Sequence, residues 1–146
     1  MKSRSILQKG NIMLKKRIIS LLMVTTVLFA MAFSVSAEQI SLGVNSGGFT
    51  STTYSSDPGT TYYAKVTSAS YTNLPAGVYP SNGKFTFTLY TASGVVAGAQ
   101  SASVGVGTSV SPAINSYYQH RAGNYKLHVH NDSTTNGVTA VVSWAP

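Results

Sequence analysis

Lys84-Phe85-Thr86-Phe87-Thr88-Leu89-Tyr90, KFTFTLY, alternates apolar and polar residues along its length. In an extended chain Phe85, Phe87 and Leu89 share one face, and Thr86, Thr88 and Tyr90 share the other. Such a ribbon hides one side and shows the other, so it needs a second layer to cover its apolar face. The same period of two recurs on either side of it. Ile40, Leu42 and Val44 alternate with polar or small neighbours, as do Tyr62, Ala64 and Val66. Tyr125, Leu127 and Val129 alternate with Lys126, His128 and His130, and Val138, Ala140, Val142 and Trp144 follow the same rule. No stretch beyond residue 38 carries the i, i+3, i+4, i+7 spacing of an amphipathic helix.

Turn residues punctuate these runs: Asn45-Ser46-Gly47-Gly48, Asp57-Pro58-Gly59, Pro75-Ala76-Gly77, Ser81-Asn82-Gly83, Ser93-Gly94 and Asn136-Gly137. Proline presets φ and glycine supplies positive φ in such turns. The spacing predicts an all-β fold: one small antiparallel β-sandwich, jelly-roll-like, of about seven or eight strands. A hairpin is expected between Phe85–Tyr90 and Val95–Gln100 across YTASGVV, and another between the last two strands across Asn131–Gly137, NDSTTNG. Residues 101–120, SASVGVGTSVSPAINSYYQH, read as a long surface loop, in which Pro112 would demote any strand to an edge.

The first 37 residues read differently. Lys15-Lys16-Arg17 precedes an apolar run from Ile18 to Val35, which exits through Val35-Ser36-Ala37. Positive charge, apolar core and small-residue exit make a secretory signal peptide, a helix cleaved after Ala37 and followed by a domain at 38–146. The rival reading is a membrane anchor, since the run approaches the roughly 20 residues of a span; no basic cluster follows it. Met1 and Met13 are both candidate starts. The chain is cysteine-free, which leaves neither a disulfide nor a lipid-bearing thiol. The expected location is extracellular, with no membrane association after cleavage.

Cleavage removes the charge. Six of the ten basic residues lie in the leader: Lys2, Arg4, Lys9, Lys15, Lys16 and Arg17. The domain keeps Lys65, Lys84, Arg121 and Lys126 against Glu38, Asp57 and Asp132, a formal +1 instead of +7. A nearly neutral domain is no electrostatic partner for nucleic acid.

Few groups in the domain offer chemistry. His128 and His130 stand two apart on one strand face, with Asp132 in phase beyond them and His120 upstream. These nitrogen and oxygen donors would suit zinc or copper. Against a metal site stand Lys126 on the same face and the ordinary appearance of His-x-His on a wet strand. Glycoside hydrolysis needs two carboxylates flanking a bond. Here Glu38 would sit at a frayed new terminus and Asp57 in a turn, and no Gly-x-Ser-x-Gly elbow is present. A non-enzymatic protein without a required cofactor is the expectation.

All nine tyrosines lie beyond residue 38. Tyr62 and Tyr125 are in phase with core residues, and Tyr63 and Tyr90 are on opposite faces. Tyrosine joins a flat apolar ring to a hydroxyl and suits sugar and protein surfaces alike. Tyr117, Tyr118, His120 and Arg121 gather aromatic and polar groups within five residues and are the candidate ligand-binding site.

AGNYKLHVHN and GKFTFTLYTASGVV, within residues 61–144, resemble the closing strands and central hairpin of small bacterial secreted jelly-roll domains of the pre-peptidase C-terminal type. The chain is also similar in style to small secreted proteins of Gram-positive bacteria. The resemblance implies a β-sandwich; the acidic calcium-type loops of that family are not evident, and no functional residue is carried over. The leading functional expectation is extracellular binding of a glycan, a cell-wall polymer or another protein. A secreted antagonistic, toxin-like factor is the alternative, and a metal-binding β protein using His128 and His130 is a third.

Overall fold

Phe85, Phe87 and Leu89 are fully buried, as their alternation requires, and they sit at the centre of a two-layer core. The computed structural model describes residues 36–146. Six strands form: β1 (Ser36–Leu42), β2 (Gly47–Ser56), β3 (Tyr63–Tyr71), β4 (Phe85–Thr91), β5 (Gly123–Asn131) and β6 (Val138–Ala145). They make two three-stranded antiparallel sheets, ordered β1-β6-β3 and β2-β5-β4. The inner faces meet through Leu89, Leu127, Val129, Val66, Ala140, Val142 and Trp144. The fold is thus a small β-sandwich, with six strands among the described residues where seven or eight were expected.

Three local expectations are corrected. Val95–Gln100 is no regular strand. Val96 makes a single bridge to Tyr90, and Ala97 and Ser101 donate their N–H groups to the Leu89 and Phe87 carbonyls. The cause is a backbone crossing: a Cβ on Gly98 would stand 1.7 Å from the Ala113 carbonyl oxygen. The last two strands are not a hairpin either, because β5 and β6 belong to different sheets. Residues 132–137 carry the chain across the sandwich, held by buried Asn131, whose amide donates to the Gly43 and Asn136 carbonyls at 2.8 and 2.9 Å. Finally, β2 begins at Gly47, within a segment read as a turn. Gly47 lies under the His128 ring, where a Cβ would come within 2.3 Å of it.

β2 also contains a bulge. Its register on β5 slips between Phe49 and Thr53. The buried Thr50 hydroxyl fills the gap in the ladder, accepting from Leu127 N–H at 3.3 Å. Beside the slip the Glu38 carboxylate accepts from the amides of Ser51 and Thr52, at 2.6 to 3.3 Å. With Ser36 and Ala37 preceding it in β1, Glu38 ties β1 of one sheet to β2 of the other. The signal segment expected at 1–37 lies outside the described residues up to position 35. The expected cut after Ala37 falls inside β1 and would leave Glu38–Leu42 of it. Among the described residues no helix is long and apolar enough to cross a membrane.

The stretch read as a surface loop has a structural task. Phe85 and Val104 exchange N–H···O bonds at 2.8 and 2.9 Å along the free edge of β4, and Ala64 and Val110 do the same at 2.9 Å along β3. The segment closes the open side of the sandwich and buries Pro112. Covered edges do not recruit other strands.

Candidate functional site

The segment that closes the sandwich ends in one turn of helix, α1 (Ser116–Gln119). Asn115 caps it: its side chain accepts from Tyr118 N–H at 3.2 Å, and its own N–H donates to the Ala97 carbonyl at 2.9 Å. The helix is thereby fixed to the strand-like segment beside β4. Tyr118 turns inward against the core, while Tyr117 points outward and is 57% exposed. The Arg121 guanidinium carbon lies 4.1 Å from the Tyr117 ring centre, a cation–π contact.

Rings continue from this surface into the core. Tyr117 meets Tyr118 edge to face at 4.9 Å, Tyr118 meets Tyr125 at 6.4 Å, and Tyr125 meets Tyr62 at 5.7 Å. Tyr62 then packs on Trp144 at 5.9 Å, and Trp144 meets Tyr54 edge to face at 4.7 Å. Edge-to-face pairs add about 0.5–1.5 kcal/mol each beyond burial. The exposed ring is therefore the outer end of a packed column.

Opposite the helix, Thr91–Val95 makes a tight turn. Gly94 takes a φ of 90°, and Val95 N–H donates to the Thr91 hydroxyl at 3.0 Å. Ala92 N–H donates to the Asn124 carbonyl at 2.8 Å, which anchors the turn to the start of β5. A cleft of about 460 Å³ opens between turn and helix, its wall including Thr91, Ser93, Tyr117, Tyr118, Arg121 and Asn124. That volume suits a small ligand or a few sugar units, within the few-hundred-Å³ range of such sites. A second hollow, beside Tyr63 and Lys65, holds about 140 Å³, room for only a few waters.

Three of the four residues singled out for binding, Tyr117, Tyr118 and Arg121, share this cleft. His120 ends α1 as its C-cap, is exposed, and is not part of the wall. The turn residues Thr91 and Ser93 and the start of β5 were not expected in the site. Ser93-Gly94 marked a turn, but nothing local placed it beside Tyr117.

The histidines lie on the outer face of β5, as their phase required. His128 packs edge-on to Phe49 at 4.9 Å and against Tyr90 at 5.6 Å. Burial lowers its pKa, and the charge of neighbouring His130 lowers it further. His130 bonds Asp132 through Nδ1 at 3.0 Å. Asp132 also accepts from Ser103, and from Thr86 at 3.3 Å. His130 and Asp132 are thus brought together, while His128 joins an aromatic cluster and His120 sits on α1. Among the described residues no group of three or more histidine, cysteine or carboxylate side chains could share a metal ion.

Compared with models of protein families, with curated proteins and with solved structures, the chain matches none.

Proposed function

We propose that the chain is a secreted, non-enzymatic binding protein whose ligand, a glycan, a cell-wall polymer or another extracellular protein, enters the Tyr117–Tyr118–Arg121 cleft. The observation that carries this reading is the cleft with its aromatic column. An exposed ring, an adjoining guanidinium and the hydroxyls of Thr91 and Ser93 are held in place before any ligand arrives. Preorganised aromatic and polar groups lose little entropy on binding. The carboxylates of Glu38 and Asp132 are engaged away from the cleft, and Asp57 sits in a turn outside its wall. Glu38 accepts strand amides, Asp132 bonds His130 and Ser103, and the backbone of Asp57 closes its own turn with Thr60.

Pull-down on purified cell wall and on a panel of polysaccharides tests the reading. Tyr117→Ala and Tyr118→Ala are expected to weaken retention at least about tenfold, the cost of roughly 1.4 kcal/mol at an aromatic anchor. Retention unchanged in both variants would reject the cleft.

A further inference from the structure

Among the described residues two cations, Arg121 and Lys126, are stacked on aromatic rings, and neither is ion-paired with a carboxylate. Arg121 lies over Tyr117, and the Lys126 ammonium lies 4.4 Å from the ring centre of Phe49. Both rings are open to solvent, at 57% and 44%. Phe49 is held in turn by Tyr90, edge to face at 4.9 Å.

The Thr91–Val95 turn lies beside both pairs. Thr91, Ser93 and Val95 line the cleft with Arg121, while a Cβ on Gly94 would lie 4.0 Å from the Lys126 ammonium. The turn thus stands between the cleft on one side and the Lys126–Phe49 pair on the other. Among the described residues the ion pair is His130–Asp132, and neither Arg121 nor Lys126 takes part in it. Asp57 sits in the turn whose Gly59 N–H bonds the Gln119 carbonyl, and it makes no ion pair with Arg121.

A cation on a ring face keeps its N–H groups free at the edge, and guanidinium offers them in a planar fork that fits carboxylate or phosphate. Two such units joined by a hydroxyl-bearing turn call for a ligand with repeated negative charge and many hydroxyls. We infer that this surface takes a polyanionic saccharide, a sugar chain bearing repeated carboxylate or phosphate groups, with Arg121 and Lys126 each receiving one anionic group. Thr91, Ser93 and Asn124 meet the hydroxyls between them. The inference rests on reading the Tyr117–Tyr118–Arg121 cleft as the binding site.

Calorimetry on the purified protein separates the two. The probes are dextran, carboxymethyl-dextran and dextran phosphate of one length, with poly-glutamate of matched charge. Both charged dextrans are expected to bind about tenfold or more tighter than dextran and than poly-glutamate, and the advantage shrinks as salt rises. The ratio between the two charged dextrans tells carboxylate from phosphate as the preferred group. Arg121→Gln and Lys126→Gln should each remove roughly threefold or more of that advantage, with unchanged thermal midpoints, whereas Lys65→Gln on β3 leaves it intact. Equal binding of all three dextrans, still abolished by Tyr117→Ala, overturns the charge inference and spares the cleft. Poly-glutamate bound as tightly as the charged dextrans, or a charge preference that survives both glutamine variants, overturns it too. Absence of binding to either charged dextran does the same, and a blank on cell wall as well would remove the cleft reading.

Discussion

Tyr71 shows what a single buried hydroxyl imposes on this fold. It is 3% exposed and packs against Tyr79 and Phe85 at 6.2 and 6.3 Å. Its hydroxyl is buried with no hydrogen-bond partner among the described residues. The ring end lies so near the backbone that a Cβ at Gly83 would stand 2.8 Å from it. Ionisation would put a charge into this apolar place, and burial, with Tyr79 and Asp132 adding to it, pushes the pKa up to about 12. Between pH 10 and 12 the unfolded chain gives up this proton and the folded chain keeps it. The contribution to stability is therefore complete below pH 10 and is lost as pH rises toward 12. Absorbance titration should show one tyrosine ionising near pH 12 that vanishes in Tyr71→Phe, and stability in that variant should fall less steeply above pH 10. An identical alkaline slope in the two proteins would contradict this account. At this scale the sequence is readable where phase decides the outcome, as for Tyr62 and Tyr125 in the core and Tyr63 outside. It is unreadable where a long-range neighbour decides, as for Phe49 beneath Lys126.

The strands divide along the same line. The apolar inward residues of β4, β5 and β6 are legible from their alternation, although Thr86 and Ser143 on the opposite phase are buried as well. β2 is Thr-, Ser- and Gly-rich, and its bulge breaks the period, so hydroxyls and a carboxylate replace the regular ladder. The partnership of β5 with β6 was misread for a different reason. Alternation says which residues face inward but not which of two sheets a strand joins, and turn-rich residues 131–137 serve a crossing as well as a hairpin. Glu38 is the clearest case of long-range dependence, since its role depends on amides of β2 that lie 13 and 14 residues further along the chain. Removing it takes a charged acceptor away from both amides. Glu38→Ala should lower stability by about 1 kcal/mol, the lower range for charge-assisted bonds at a partly exposed site. Urea unfolding checks this, and an unchanged midpoint would mean that the carboxylate ties nothing.

Across the whole molecule, two small sheets pack on each other without disulfides, and each long side is closed by a different means. Residues 95–110 cover β4 and β3 on one side, and the Glu38 carboxylate joins β1 to β2 on the other. The covering segment also delivers α1, so closing the sandwich and building the cleft are one event in the chain. That coupling explains why the site was only partly visible in advance. Tyr117, Tyr118 and Arg121 are neighbours in sequence, whereas Thr91, Ser93 and Asn124 join them only once residues 95–115 have crossed beside β4. The central claim is that this junction is the binding surface. Amide NMR spectra of the isotope-labelled protein, recorded while soluble cell-wall polysaccharide is added, test it most directly. Shifts are predicted to cluster at residues 91–95 and 117–126, fading toward β1 and β3. Shifts centred on the β1-β6-β3 sheet, or none at saturating polysaccharide, would contradict the claim.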